Sequence, residues 1–182
     1  MLIPNFILNQ LSIRDPKQIT TIVIHHSVFD PTADIATLAQ FEKNSQGFLT
    51  IGYNAYCKLA DKASDKWVME QGRPINRIPA AQYGMNTEGY AICIGGNYHP
   101  GGASFVTPVS KNALDVVAAQ IHAVREHTPT VKYLMGHRDV ATIKAKKGLN
   151  PGDYSTACPG DNLYKMLHDL RVMTGLAQYP VL

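Results

Sequence analysis

Four β-branched residues in succession, Thr21, Ile22, Val23 and Ile24, lead directly into His25 and His26. Their stiff side chains predict a buried strand that delivers two imidazoles at its end. Successive strand side chains point to opposite faces, so only one of the two rings can enter a given site while the other packs or hydrogen-bonds behind it. Over residues 30–48, Asp or Thr stands at the start, Ile35, Leu38, Ala39 and Phe41 recur at helical spacing, and Gly47 follows the end, which predicts a helix. Residues 53–75 predict two strands across a polar turn at 61–66, and residues 89–97 predict a strand closed by glycines. Leu114, Val117, Ala118, Ile121 and Val124 form one apolar stripe of a further helix, with Thr107 placed to cap it and Pro108 suited to its first position. A short apolar strand ends at His137, and residues 161–173 predict a final amphipathic helix behind Asp161. Between them, residues 138–160 are rich in Gly, Pro and Lys and too long for an ordinary connection, which predicts a functional loop.

This order of elements predicts an α/β fold, a single domain with a central mixed sheet flanked by helices. The 182 residues, 45% of them hydrophobic, suffice for one sizeable core, expected at about residues 20–172 of a domain spanning 1–182. A formal net charge of +3 is mildly basic and falls short of a nucleic-acid-binding signature. No apolar run approaches a membrane span, and the first residues show neither a basic start before an apolar stretch nor a small-residue cleavage pattern. Synthesis in the cytoplasm without membrane insertion is therefore expected. Cys57, Cys93 and Cys158 are an odd, widely spaced set, which argues against a disulfide framework and leaves a thiol for packing or chemistry.

Three candidates for chemistry stand at strand ends or in the long loop: His25, His137 and Cys158. Two imidazoles and a thiolate are sound zinc ligands, and three protein ligands leave the fourth tetrahedral position open, as in catalytic rather than structural zinc sites. The wide spacing is unlike the close pairs of a zinc finger, so spacing alone leaves a metal site and a set of structural residues both open.

The segments "TTIVIHHS", "IGYNAY", "GHRDV" and "TACPGD", in this order and over about residues 20–170, resemble the zinc-dependent N-acetylmuramoyl-L-alanine amidase family, which includes short phage lysozymes of the amidase type and peptidoglycan recognition proteins. The resemblance implies a peptidoglycan-recognition-protein-like fold. It also implies Zn2+ held by His25, His137 and Cys158, a catalytic Tyr53 in "GYN", and a muramyl-peptide substrate cut between N-acetylmuramic acid and L-alanine. His26 is then the structural ring of the pair. Thr156 occupies the place two residues before the ligand cysteine where relatives carry lysine or threonine, and its hydroxyl would donate to the oxyanion without adding positive charge. A phage or prophage endolysin, reaching the wall through a holin or from a virion, is the setting this resemblance implies.

The chain also departs from that pattern. Ala81, Gln82 and Tyr83 occupy the neighbourhood where many relatives carry a substrate-contacting histidine, and Cys93 stands at the position of a family glutamate. Glu70 and Glu88 are the carboxylates available as a general base, but neither matches that position, so none is assigned. Asn150 in "NPGD" replaces an aspartate ligand of intracellular relatives, which leaves Cys158 as the third ligand and Asp153 as an alternative. Lys144, Lys146 and Lys147 would bring positive charge to the rim or form a solvated loop. Two other functions share these residues: a peptidoglycan-binding module without turnover, and a metallopeptidase acting within the stem peptide.

Overall fold

The computed structural model describes residues 3–101 and 104–180; the extreme ends of the expected 1–182 domain lie outside the described residues. The β-branched run forms strand β1 (Thr21–His26), buried along its whole length. It lies between two parallel neighbours, β4 (Gly89–Ile94) and β5 (Tyr133–Gly136). Parallel neighbours require crossover connections, which cover both faces of such a strand and make it apolar on both sides. Beyond β4, β2 (Ala55–Asp61) pairs in parallel, and β3 (Lys66–Gln71) folds back antiparallel on β2. With β6 (Ala177–Gln178) the order is β3-β2-β4-β1-β5-β6, a six-stranded mixed sheet flanked by helices, as the pattern of elements predicts.

Alternation along β1 separates two cores. Ile22 and Ile24, with Ile92 and Ile94, share a cluster with Leu114, Val117, Ala118, Ile121 and Val124, the expected apolar stripe of the helix Lys111–His127. Val23 faces the other way and packs with Val140 and Ile143, while Cys93 and Tyr56 pack with Ile35 and Leu38. His25 shares this second face with Val23.

In chain order the helices are α1 (Asn5–Leu8), α2 (Ile35–Gln46), α3 (Lys111–His127), α4 (Asp139–Lys146), α5 (Asp161–Lys165) and α6 (Leu167–Thr174). α2 is capped by Asp34, whose side chain accepts from Thr37 N, and ends at Gly47 with φ of 69°. Its buried positions are Ile35, Leu38, Ala39 and Glu42; Phe41, expected on that face, is 49% exposed and packs edge-on against Phe29. The i, i+3, i+4, i+7 spacing assigns the inward position to Glu42 and turns Phe41 outward.

The cap of α3 is Ser110, whose side chain accepts from Ala113 N. Thr107, expected there, instead accepts from Asn97 N through its hydroxyl, so Pro108 lies before the helix and not at its first position. The segment expected as a loop at 138–160 contains α4 and a 3-10 turn at Pro151–Tyr154, because Val140 and Ile143 supply one buried helical face. The expected last helix divides at Met166 into α5 and α6. Gly160, not Asp161, precedes α5, and the Asp161 carboxylate pairs with Arg138.

The packed unit extends past the expected core limits. Ile3, Leu11 and Ile19 are buried, β6 adds a strand beyond residue 172, and the Arg14 guanidinium donates to the carbonyls of Ile75 and Gly89. No helix among the described residues is long and apolar enough to cross a membrane.

Candidate metal centre

The site lies where the central parallel strands end. Ile24 of β1 is in register with Gly136 of β5, so His25 and His137 emerge side by side, and His137 N donates to Ile24 O at 3.1 Å. Their ring centroids are 4.7 Å apart. Crevices at the carboxyl ends of parallel strands are where α/β sheets characteristically carry ligands.

Cys158 arrives from a loop 133 residues away in sequence from His25. The loop is held at three points. Arg138 N donates to Cys158 O at 2.9 Å, Arg138 pairs with Asp161, and Gly160 lies against the backbone of Tyr98 and His99. A Cβ on Gly160 would stand 2.4 Å from Tyr98 C, and its φ of 87° independently favours glycine. Gly136 permits the same closeness on the other side, where a Cβ would meet Pro159 Cδ at 2.9 Å. These contacts bring one donor atom each from His25, His137 and Cys158 within 4.8 Å of one another.

The protonation pattern suits a cation. Gln82 Oε1 lies 3.0 Å from His25 Nε2; an amide oxygen can only accept, so the proton is on Nε2 and the Nδ1 lone pair faces Cys158 Sγ at 3.6 Å. This is the outer hydrogen bond that fixes a ligand imidazole's tautomer. Burial, followed by the nearby His137, pushes the His25 pKa well below its ordinary value, and burial holds that of His137 at about 4, so both rings are neutral and able to ligate. Burial also pushes the Cys158 thiol up to about 12, against the pull of the His26 N–H and Arg138. A bound dication would supply the positive charge needed to hold it as thiolate. The donor set therefore fits zinc.

His26, on the opposite face, accepts through Nδ1 from Tyr98 N at 3.3 Å and is nearly buried. Its backbone N–H reaches Cys158 Sγ at 3.4 Å, so it touches the centre through the main chain while its ring lies elsewhere.

Tyr53 stands in the loop before β2 with its ring 5.2 Å from that of His25. Asn54 anchors this loop: its Oδ1 accepts from Ala91 N and its Nδ2 donates to Arg73 O. Arg73 in turn donates to the carbonyls of Ile51 and Ile78. Burial first, and the neighbouring Cys93 thiol second, push the phenol pKa well above its ordinary value, so the hydroxyl is a donor at neutral pH. It is engaged with Cys93, the residue in register with His25 on β4.

Thr156 and His137 line one cleft of about 450 Å3 beside the centre, together with Tyr83, Asn86, Asp153 and Tyr154. Thr156 Oγ1 accepts from Cys158 N at 3.1 Å, which leaves its proton to donate. Asp153 is exposed on the 3-10 turn and Cys158 is the third member of the donor cluster. Glu70 accepts from Ile35 N and pairs with Lys58, and so serves α2. Glu88 gives its backbone carbonyl to Thr20 and Thr21 at the opposite, starting end of β1. Lys144 reaches over the Tyr154 ring at 5.8 Å, and Lys147 is exposed after the end of α4.

Two residues not predicted from the sequence belong here. Gln82 occupies the stretch where a histidine was expected from relatives and serves as the partner of His25. Glu42 lines a second cleft with Tyr53, Phe29 and Phe48, and its Oε2 accepts from Gly52 N at 2.7 Å. Burial raises its pKa to about 7, opposed by the Gly52 N–H and by Arg73. A glutamate at the inward position of the α2 apolar stripe was the signal available.

No known family profile and no curated relative matches the chain. Its fold is that of N-acetylmuramoyl-L-alanine amidases, phage endolysins and peptidoglycan recognition proteins. The N-acetylmuramoyl-L-alanine amidase LysC from Clostridium intestinale URNW superposes with a TM-score of 0.66 at 18% identity, covering 92% of this chain and 93% of that one. The endolysin of Thermus scotoductus bacteriophage Ph2119 gives 0.63 at 20% identity over 88% of each chain. Drosophila PGRP-LB gives 0.64 at 19% identity, over 93% of this chain and 87% of that one.

Proposed function

We propose that this protein is a zinc-dependent amidase that hydrolyses the bond between N-acetylmuramic acid and L-alanine in peptidoglycan, in the setting of a phage or prophage endolysin, with residues 1–182 forming one catalytic domain. The observation that carries this reading is the convergence of His25, His137 and Cys158 beside Tyr53, with His137 on the wall of one cleft and Tyr53 on the wall of another, on a fold shared with named amidases.

Amide hydrolysis requires water to attack the carbonyl carbon, charge to accumulate on the oxygen, and the nitrogen to leave protonated. Zinc, when bound, polarises the carbonyl and acidifies water. His25, His137 and Cys158 hold the ion, and Gln82 keeps His25 Nδ1 free to do so. Tyr53, protonated by virtue of its burial, turns its hydroxyl from Cys93 to donate to the developing oxyanion, a contribution of about 3 kcal/mol in comparable sites. Thr156 adds a neutral donor from the cleft wall.

Mass analysis of digested cell wall, with and without chelator, tests this reading. A free lactyl carboxyl on muramic acid that disappears with chelator is expected. New peptide termini would establish a stem-peptide metallopeptidase, and the absence of products would establish a binding module. That last reading has a specific basis, since the fold neighbours include peptidoglycan recognition proteins bound to tracheal cytotoxin.

A further inference from the structure

Tyr83 is the most exposed large apolar or aromatic side chain among the described residues, at 71%, yet its ring is held in a fixed arrangement. It stacks on Tyr154 with centroids 5.4 Å apart and planes 12° from parallel. Tyr154 is backed by the Lys144 ammonium, and Gly84 lies so close that a Cβ there would meet both Lys144 Cε and Tyr154 Cε1 at 2.7 Å. The pair is thus a built platform, assembled from the loop after Ala80 and the 3-10 turn, and it lines the same cleft as His137 and Thr156. Nothing in the catalytic argument uses it.

We propose that Tyr83 and Tyr154 form a glycan subsite, on which a pyranose ring of the peptidoglycan strand stacks beside the metal centre. The inference rests on the amidase reading above and adds which side of the centre takes the sugar. The scissile amide separates an uncharged ring from a peptide bearing free carboxylates. On the Tyr83 side the cleft carries the exposed Asp153 carboxylate, which accepts hydroxyl protons. Asn86 supplies an amide donor there, its Oδ1 being taken by Ala81 N and Gln82 N. Across the loop, beside the cleft lined by His26, Asn97, His99 and Ala157, Arg138 and His99 both face the Asp161 carboxylate. A sugar presents C–H groups on its faces and hydroxyls at its edge, the arrangement that an exposed tyrosine flanked by a carboxylate and an amide receives.

The test is calorimetric titration of the zinc-loaded protein with a tetrasaccharide of N-acetylglucosamine, whose rings carry no carboxylate, and separately with free stem peptide. Binding of the tetrasaccharide, weakened about tenfold by Tyr83→Ala and retained by Tyr83→Phe, is expected, because the ring face and not the hydroxyl makes the contact. Stem-peptide binding should be indifferent to both substitutions. Failure of the wild-type protein to bind the tetrasaccharide, or equal affinity in Tyr83→Ala, would overturn the assignment. So would stem-peptide binding lost in Tyr83→Ala, which would give the platform to the peptide. Glycan binding that depends on Tyr83, in a protein that releases no lactyl carboxyl from wall, would uphold this subsite and remove the catalytic reading instead.

Discussion

Replacing Glu42 by glutamine should leave stability near that of the wild type at pH 4.5 and raise it relative to the wild type at pH 8. Glu42 is 8% exposed on the inner face of α2, and burial lifts its pKa from 4.5 to about 7 in the folded state. The folded protein therefore holds this proton more tightly than the unfolded chain. Its stabilising effect is complete below pH 4.5 and is lost as the pH rises through 7. Each tenfold difference in proton affinity is worth about 1.4 kcal/mol, so the change between pH 4.5 and 8 comes to about 3 kcal/mol. Glutamine keeps an oxygen to accept from Gly52 N but does not ionise, and escapes that loss. The buried histidines act with the opposite sign. His26 and His137, depressed to about 4, and His25, depressed further, contribute stability above pH 6.5 that is lost on acidification. The difference between variant and wild type isolates Glu42 from them. Urea unfolding of chelator-treated protein across this pH range measures it. A difference that does not vary with pH, or a glutamine variant that loses ground as pH rises, would refute the argument. The latter result would mean that Arg73 holds Glu42 as a stabilised carboxylate.

Purified protein should carry about one zinc per chain by elemental analysis, and Cys158→Ser should lose most of it, because a neutral hydroxyl is a poor substitute for thiolate; wild-type metal content in that variant would remove Cys158 from the ligand set. Gln82→Ala should weaken zinc about 10- to 100-fold in a competitive chelator titration by releasing the His25 tautomer, and unchanged affinity would show that the hydrogen bond at Nε2 is immaterial. His25→Ala should abolish both metal binding and wall hydrolysis, whereas His26→Ala should chiefly lower the unfolding midpoint through the lost bond from Tyr98 N; equal metal loss in the two variants would contradict their placement on opposite faces. Tyr53→Phe should keep zinc and ring packing while kcat falls about 100-fold with little change in KM, and an unchanged kcat would leave the hydroxyl idle.

Features that depend on local repetition were legible along the chain. The β-branched run specified β1 because such side chains suit a strand covered on both faces; alternation put His25 and His26 on opposite faces, and the family resemblance chose His25 as the ligand. The stripe from Leu114 to Val124 specified the buried side of α3 for the same kind of reason. The conjunction of "IHHS", "GYN", "GHRDV" and "ACPG" named the ligand candidates, although residue spacing left their meeting open.

Features that depend on distant segments emerge only when the chain is folded. Cys158 joins two strand-end histidines only because Arg138, Gly160 and the register of β5 on β1 close the intervening loop. Gln82 carries no motif; it matters because the imidazole of a residue 57 positions away presents an N–H that burial removes from water. Glu42 occupies an apolar position on its helix, and only the neighbouring Gly52 N–H and Arg73 make that burial tolerable. The segment at 138–160 shows the converse. Its Gly, Pro and Lys content obscured a helix that exists because the sheet offers Val140 and Ile143 a surface to cover. A buried polar group must find its partners in three dimensions, and a short helix gains most of its stability from the surface it covers. Periodicity along one chain contains neither.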